Sequence, residues 1–382
     1  MNFNTNIPLD KVLGMFTAHF IGDALGAGYE FKTSNFANYN GVINVDIHWI
    51  SRWIGEKIGP KGQTTDDTAM TLCLLAVLLQ NQGHYINSQA IQAYNIWAGG
   101  PAGYLNDLAG GPAGYLNDSD SSTSSTTKSN ERKSFSTRMI GRNTNDLFKY
   151  QVKPENVIKS YLHRYEKKFV GDNDNASKAQ SNGALMRCSP FALLKEFDKY
   201  AHMDCYLTNP NPVCWECNYL YLLALQSILT NNNNNNNDNN KSNNLGKQVY
   251  QNIKCKATLP EVQAVFNIID NNGFPDIRKN KGWVLNALAV ALRAILFIDT
   301  PQAKLQDFLD WVIQLGGDTD TNACIGAAII GAYLGYQQLL TEDKTKQNWD
   351  IITQVDLSNS ELDTRSEYQG KDLRLILQPI FN

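Results

Sequence analysis

Two short acidic clusters stand out by residue type and spacing. The first is Thr65-Asp66-Asp67-Thr68, led by Gly62-Gln63-Thr64. The second is Gly316-Gly317-Asp318-Thr319-Asp320-Thr321-Asn322. Each stands just before a helical pattern, so each sets two carboxylates and flanking hydroxyls at a helix N-terminus. Capping explains one such residue per helix, because a single Asp or Thr serves the first-turn amides and an acid there meets the helix dipole favourably. Two carboxylates, twice over, exceed that need. Four close carboxylates repel unless protons or cations hold them. Their oxygens are hard ligands, suited to Mg²⁺, Mn²⁺ or Ca²⁺. The pattern therefore predicts metal binding rather than capping alone. His19, His48, His84, His163 and His202 form no ligand pattern. Cys214 and Cys217 have CxxC spacing without a second pair at zinc-ribbon distance, and are expected on one turn of an apolar helix in a structural role.

The elements that must carry these clusters read as helices. Apolar residues recur with helical period over 9–31, 66–82, 88–98, 154–169, 184–200, 213–230, 245–254, 259–270, 282–298, 302–315 and 321–340. Residues 32–64 read as a long loop with short elements. Period-two β-branched runs are scarce, so the expected class is all-α. One domain over 1–382 is expected, interrupted by two insertions. The first, 98–134, holds AGGPAGYLND twice and a Ser/Thr-rich tract, and reads as a duplicated surface segment. The second, 231–244, is an Asn run that cannot offset its ordering entropy by burial.

Small residues suggest how the clusters meet. Gly14, Ala18, Gly22 and Gly26 recur every four residues, as do Ala323, Ala327, Gly331 and Gly335. Each set makes a flat ridge along one helix face. Glycine in a helix costs roughly 1 kcal/mol against alanine, so its repetition implies a steric need. If the two ridges pack on each other, Asp23 and Glu30 come near the Asp318–Asp320 turn. Packing of each ridge on some other helix is the alternative.

Composition narrows the class further. The 382 residues are 42% hydrophobic and 19% charged, with net charge −3, a globular balance. Basic residues do not cluster, so nucleic acid is not an expected partner. Seven cysteines, an odd number, suit reduced thiols. The polar start MNFNTNIPLDK and the shortness of every apolar run predict a cytoplasmic protein without a membrane span.

Four segments resemble the ADP-ribosylglycohydrolases: GMFTAHFIGDALGAGYEF (14–31), GQTTDDTAM (62–70), SNGALMRCSPFALL (181–194) and LGGDTDTNACIGAAIIGAYLG (315–335). The likeness spans about residues 10–340, and the pairing of TDDT with GGDTDT is specific. The resemblance implies an all-α fold with two Mg²⁺ or Mn²⁺ ions in a central cleft. It implies Thr65, Asp66 and Asp67 as the first metal motif and Asp318, Asp320 and Thr321 as the second. Glu30 matches an acidic position near the metals. Ser181, Asn182 and Gly183 match a loop that holds ADP-ribose, and Arg187 matches a structural position. Thr208-Asn209-Pro210 departs from the Thr-His-Pro of many members.

The implied reaction breaks the glycosidic bond at the distal ribose of ADP-ribose through an oxocarbenium-like transition state. Asp67, Asp318 and Glu30 are the candidates for acid or base, and their division of labour stays open. The expected substrate is an ADP-ribosylated protein, arginine-linked by preference, or a small ADP-ribose conjugate. A monomer is expected. Tyr29, Phe31 and Trp53 are candidates to stack on the nucleotide. Two other readings remain. Asp318-Thr319-Asp320-Thr321 also matches the DxDxT of haloacid-dehalogenase-type phosphatases, which need a strand before the first Asp and a parallel sheet. A non-catalytic ADP-ribose-binding or structural relative is the third.

Overall fold

The computed structural model describes residues 1–31, 36, 39–51, 55–99, 180–231, 244–301, 303–355, 373–378 and 380–381. Within them the chain is built of thirteen α-helices. They are α1 (Leu9–Ala27), α2 (Asp66–Gln80), α3 (Asn87–Gly99), α4 (Asp198–Thr208), α5 (Pro212–Thr230), α6 (Leu245–Lys254) and α7 (Pro260–Asp270). Then follow α8 (Val284–Phe297), α9 (Leu305–Leu315), α10 (Thr319–Leu334), α11 (Tyr336–Leu339), α12 (Asp343–Gln354) and α13 (Leu373–Leu377). The sheet among the described residues is one antiparallel hairpin, β1 (Ile47–Ser51) with β2 (Gly55–Gly59), Ile47 standing opposite Gly59. The all-α expectation holds. The phosphatase reading falls, because helix α9 rather than a strand leads into Gly316 and the hairpin is no parallel sheet.

Helices α1 and α10 form the central pair. Both are buried around nearly their whole circumference, which their apolar and small residues permit. The two small-residue ridges do pack on each other. A side chain at Gly22 would come within 2.7 Å of the Ala323 backbone, and one at Gly26 within 2.5 Å of Asp320 Cα. Gly14 meets Gly331 and Gly335 in the same way. Backbone thus touches backbone along the pair, and the end nearest the acidic clusters is pinned. Thr319 Oγ1 donates to the Gly26 carbonyl (2.7 Å), and the Phe31 amide donates to that of Gly317 (2.8 Å).

Several elements differ from the sequence reading. The helix expected over 184–200 is a turn followed by a short 3-10 segment, Ser189–Leu193. Pro190 has no amide to continue an α-helical ladder from the turn before it, and past Leu193 the chain pairs with the N-terminal segment, Leu194 opposite Phe3. Helix begins afresh at Asp198. The helix expected over 321–340 ends at Gly335, whose φ of +79° turns the chain into α11. The hairpin, by contrast, is one of the short elements expected in the loop over 32–64. The helix expected over 154–169 lies outside the described residues, as do the insertions 98–134 and 231–244 apart from their outermost residues. No helix of the described residues is long and apolar enough to cross a membrane.

Candidate metal centre

The site forms where the C-terminal half of α1 meets the N-termini of α2 and α10. Asp23, fully buried on α1, caps α2 from outside that helix. Its carboxylate accepts from the Thr65 amide (3.0 and 3.1 Å), the Thr65 hydroxyl (2.8 Å) and the Thr68 amide (3.1 Å). Thr65 is itself the N-cap of α2. With the cap served twice, Asp66 and Asp67 are surplus to capping. Asp318 occupies the N-cap position of α10 but makes no capping bond; its Oδ2 accepts instead from Asn182 Nδ2 (2.8 Å).

Two sets of carboxylates converge. One oxygen each from Asp23, Asp67 and Asp320 lie within 4.8 Å of one another, and so do oxygens from Glu30, Asp318 and Asp320. Asp320 belongs to both. The sequence reading named Asp67, Asp318, Asp320 and Glu30 as site residues, and the fold brings them together. Asp66 joins neither set, although its charge is felt by Glu30 and Asp67. Thr65 holds Asp23, with Asp67 Oδ2 3.1 Å from the same hydroxyl. The Thr321 amide donates to Asp320 Oδ1 (2.8 Å). Asp23 entered the sequence reading only as a neighbour. A carboxylate inside an otherwise apolar helix pattern is the signal that would have promoted it.

The loop Ser181-Asn182-Gly183 abuts this cluster and is held from behind. Asn209 Nδ2 donates to the Ser181 carbonyl (3.0 Å) and hydroxyl (2.7 Å). Arg187 Nη1 donates to the Gly183 carbonyl (2.8 Å) and to Thr208 Oγ1 (2.9 Å). Arg187 is fully buried and ion-paired with buried Asp204 at 2.9 Å, and Asp204 also accepts from Tyr85 and Tyr94. Buried charge of this kind persists only when paired and hydrogen-bonded. Asn209, at the departure from Thr-His-Pro, therefore keeps a polar contact to the loop. Of the stacking candidates, Tyr29 is buried, Phe31 is exposed and Trp53 lies outside the described residues. Cys214 and Cys217 are buried on α5.

The sequence model of the ADP-ribosylglycohydrolase family matches residues 4–365, nearly the whole chain. The chain belongs to the ADP-ribosylglycohydrolase family. A solved structure described as an ADP-ribosylglycohydrolase-related protein complex is similar in fold. Its TM-score is 0.56 at 18% identity, with 98% of each chain covered. No curated protein matches.

In this family member the electrostatics of the centre fit hard cations. Burial, and after it the neighbouring carboxylates, push Glu30, Asp67 and Asp320 well above the usual carboxylate range. Burial also raises Asp23, against its hydrogen bonds from Thr65 and Thr68. Among the described residues no Lys or Arg is ion-paired with these four or with Asp318. Buried like charges with no cationic partner among the described residues are what a divalent cation would neutralise.

A pH dependence follows. A carboxyl raised in the folded state adds stability that is present below its unfolded value, about 4, and is lost as pH rises through the folded value. Buried His19, held down at about 4, acts in the opposite sense. Its contribution is present above its unfolded value of about 6.5 and lost below it. Above about pH 6.5 the carboxyls therefore govern this balance. The thermal midpoint of metal-free protein is expected to fall as pH rises above about 6.5, and saturating Mn²⁺ to remove most of that fall. Differential scanning fluorimetry with and without chelator checks it; a midpoint rising with pH in metal-free protein contradicts it.

Proposed function

We propose that this glycohydrolase removes ADP-ribose from a modified acceptor, ADP-ribosyl-arginine in a protein being favoured, with two Mg²⁺ or Mn²⁺ ions in the cleft. The observation that carries the reading is Asp320's membership of both carboxylate sets, which suits one ligand shared by two neighbouring cations. Asp23, Asp67 and Asp320 would hold one ion, and Glu30, Asp318 and Asp320 the other, with Thr65, Asp66 and Thr321 around them. When bound, the ions would supply charge neutralisation, chelation of a ribose diol and a lowered pKa for water.

The protein's own groups do the rest. Ser181, Asn182 and Gly183 face the ADP-ribose, with Asn209 and Arg187 keeping their loop in place. Asp67 and Asp318 are buried and serve mainly as ligands. Glu30 is only half-buried, just beyond the end of α1; one of its oxygens would hold the ion, and the other is the one that moves a proton to the leaving group or from water. Preference for arginine rests on the GGDTDT form of the second motif, which resembles arginine-directed branches. The reading includes a single domain over 1–382 with insertions at 98–134 and 231–244, acting as a cytoplasmic monomer.

The test is release of ADP-ribose from a panel of arginine-, serine- and O-acetyl-linked conjugates. Mn²⁺-dependent release, greatest from the arginine conjugate and abolished by chelator, is expected. ADP-ribose binding without release from any conjugate would favour a non-catalytic relative instead. Glu30→Gln is expected to lower turnover by about 10²–10⁴ while affinity for ADP-ribose changes far less; equal losses in both would assign Glu30 to binding.

A further inference from the structure

Cys324 lies on α10 one turn after Asp320, fully buried. Its Sγ is 3.2 Å from Asp67 Oδ1 and equally far from the Thr321 carbonyl one turn back. A thiol, with an ordinary pKa of about 8.5, carries a proton at neutral pH that it can donate. A charged carboxylate is the stronger acceptor of the two. Among the described residues the other side-chain donor to the Asp67 carboxylate is the Thr65 hydroxyl. The Thr65 hydroxyl is 2.8 Å from Asp23 Oδ1 and 3.1 Å from Asp67 Oδ2, so its single proton is divided between two acceptors. Asp23, by contrast, receives two backbone amides as well as that hydroxyl. Asp67 Oδ1 thus takes its hydrogen bond from the thiol, while Oδ2 shares the Thr65 hydroxyl with Asp23.

We infer that Cys324 is a positioning residue for the metal centre: its thiol holds the Asp67 carboxylate turned toward Asp23 and Asp320 so that the three can close on one cation. The role rests on the metal reading above but concerns a residue outside the ligand sets. Groups that hydrogen-bond to ligating carboxylates commonly govern about 10–100-fold in metal affinity.

The experiment is calorimetric titration of Mn²⁺ into wild type and the variants Cys324→Ala, Cys324→Val and Cys324→Ser, with far-UV circular dichroism on each. Val replaces the thiol's bulk without a donor, and Ser restores a donor with less bulk. A positioning role predicts that Ala and Val weaken Mn²⁺ binding at least about tenfold while Ser stays within about threefold of wild type. A packing role predicts the reverse order, with Val closest to wild type and Ser no better than Ala. That order, or equal affinity in all four proteins, overturns the inference. If Ala or Val fails to fold, Ser decides alone: a tenfold loss in folded Cys324→Ser refutes it. Wild type that takes up no Mn²⁺ removes the metal reading and this role with it, an outcome distinct from unequal variants of a metal-binding wild type.

Discussion

Asp320→Asn is expected to reduce metal-dependent turnover by about three orders of magnitude or more, equivalent to roughly 4 kcal/mol of lost transition-state stabilisation. The reason is its place in both carboxylate sets, where no other residue of the described chain is shared. Losing Asp67 or Asp318 leaves one set intact; losing Asp320 weakens both. The change keeps the side chain's size and removes one buried like charge from the cluster, so the metal-free protein should be at least as stable as wild type. Metal-induced stabilisation should largely vanish. Wild type at a Mn²⁺ concentration about a thousand times its Kd gains about 4 kcal/mol by mass action. Scanning fluorimetry across a Mn²⁺ series, run beside the turnover assay, separates the two effects. Asp66→Asn serves as the comparison, because Asp66 belongs to neither set, and its loss should be milder. Wild-type turnover in Asp320→Asn would end the two-ion reading.

Gly22→Leu is expected to prevent folding. Overpacking a core by a few methylenes commonly costs about 1–3 kcal/mol, because neighbouring side chains can move aside. Here the atoms in the way are the Ala323 backbone, 2.7 Å from where even a Cβ would stand. Relief requires α1 and α10 to separate, and both are buried along nearly their whole length. The cost should approach the whole stability of a domain, about 5–15 kcal/mol. Loss of soluble protein, or a helical circular dichroism signal without a cooperative thermal transition, is the expected outcome. Gly183→Ala is the control, since among the described residues its Cβ would meet only Asn209 Oδ1, at 3.7 Å. It should fold normally. A soluble, cooperatively melting Gly22→Leu protein would mean that the close approach is dispensable.

Both expectations join features that lie far apart in the chain, and they differ in how much could be read beforehand. Helical class, the two acidic N-termini and the glycine ridges are local patterns. Each depends on the 3.6-residue period and on residue type, which neighbours in sequence suffice to set. The segment 184–200 shows the limit even there. Its apolar pattern read as helix, but Leu193 and Lys195 hydrogen-bond to Asn4 and Asn2 of the N-terminal segment, a contact no local window contains.

What the sequence by itself determined was a helical protein carrying two carboxylate pairs and two ridges able to approach closely. Which carboxylates share a site was decided by the packing of α1 against α2 and α10. Asp66 and Asp67 are adjacent, yet successive helical residues point about 100° apart, so one can face Asp23 while the other does not. That choice depends on the rotation and axial offset between helices, which long-range contacts set and no local window contains. The same holds for Asn182 reaching Asp318 across 136 positions and Cys324 reaching Asp67 across 257. Type and spacing supplied the carboxylates; the meeting of helix backbones at glycine supplied their arrangement.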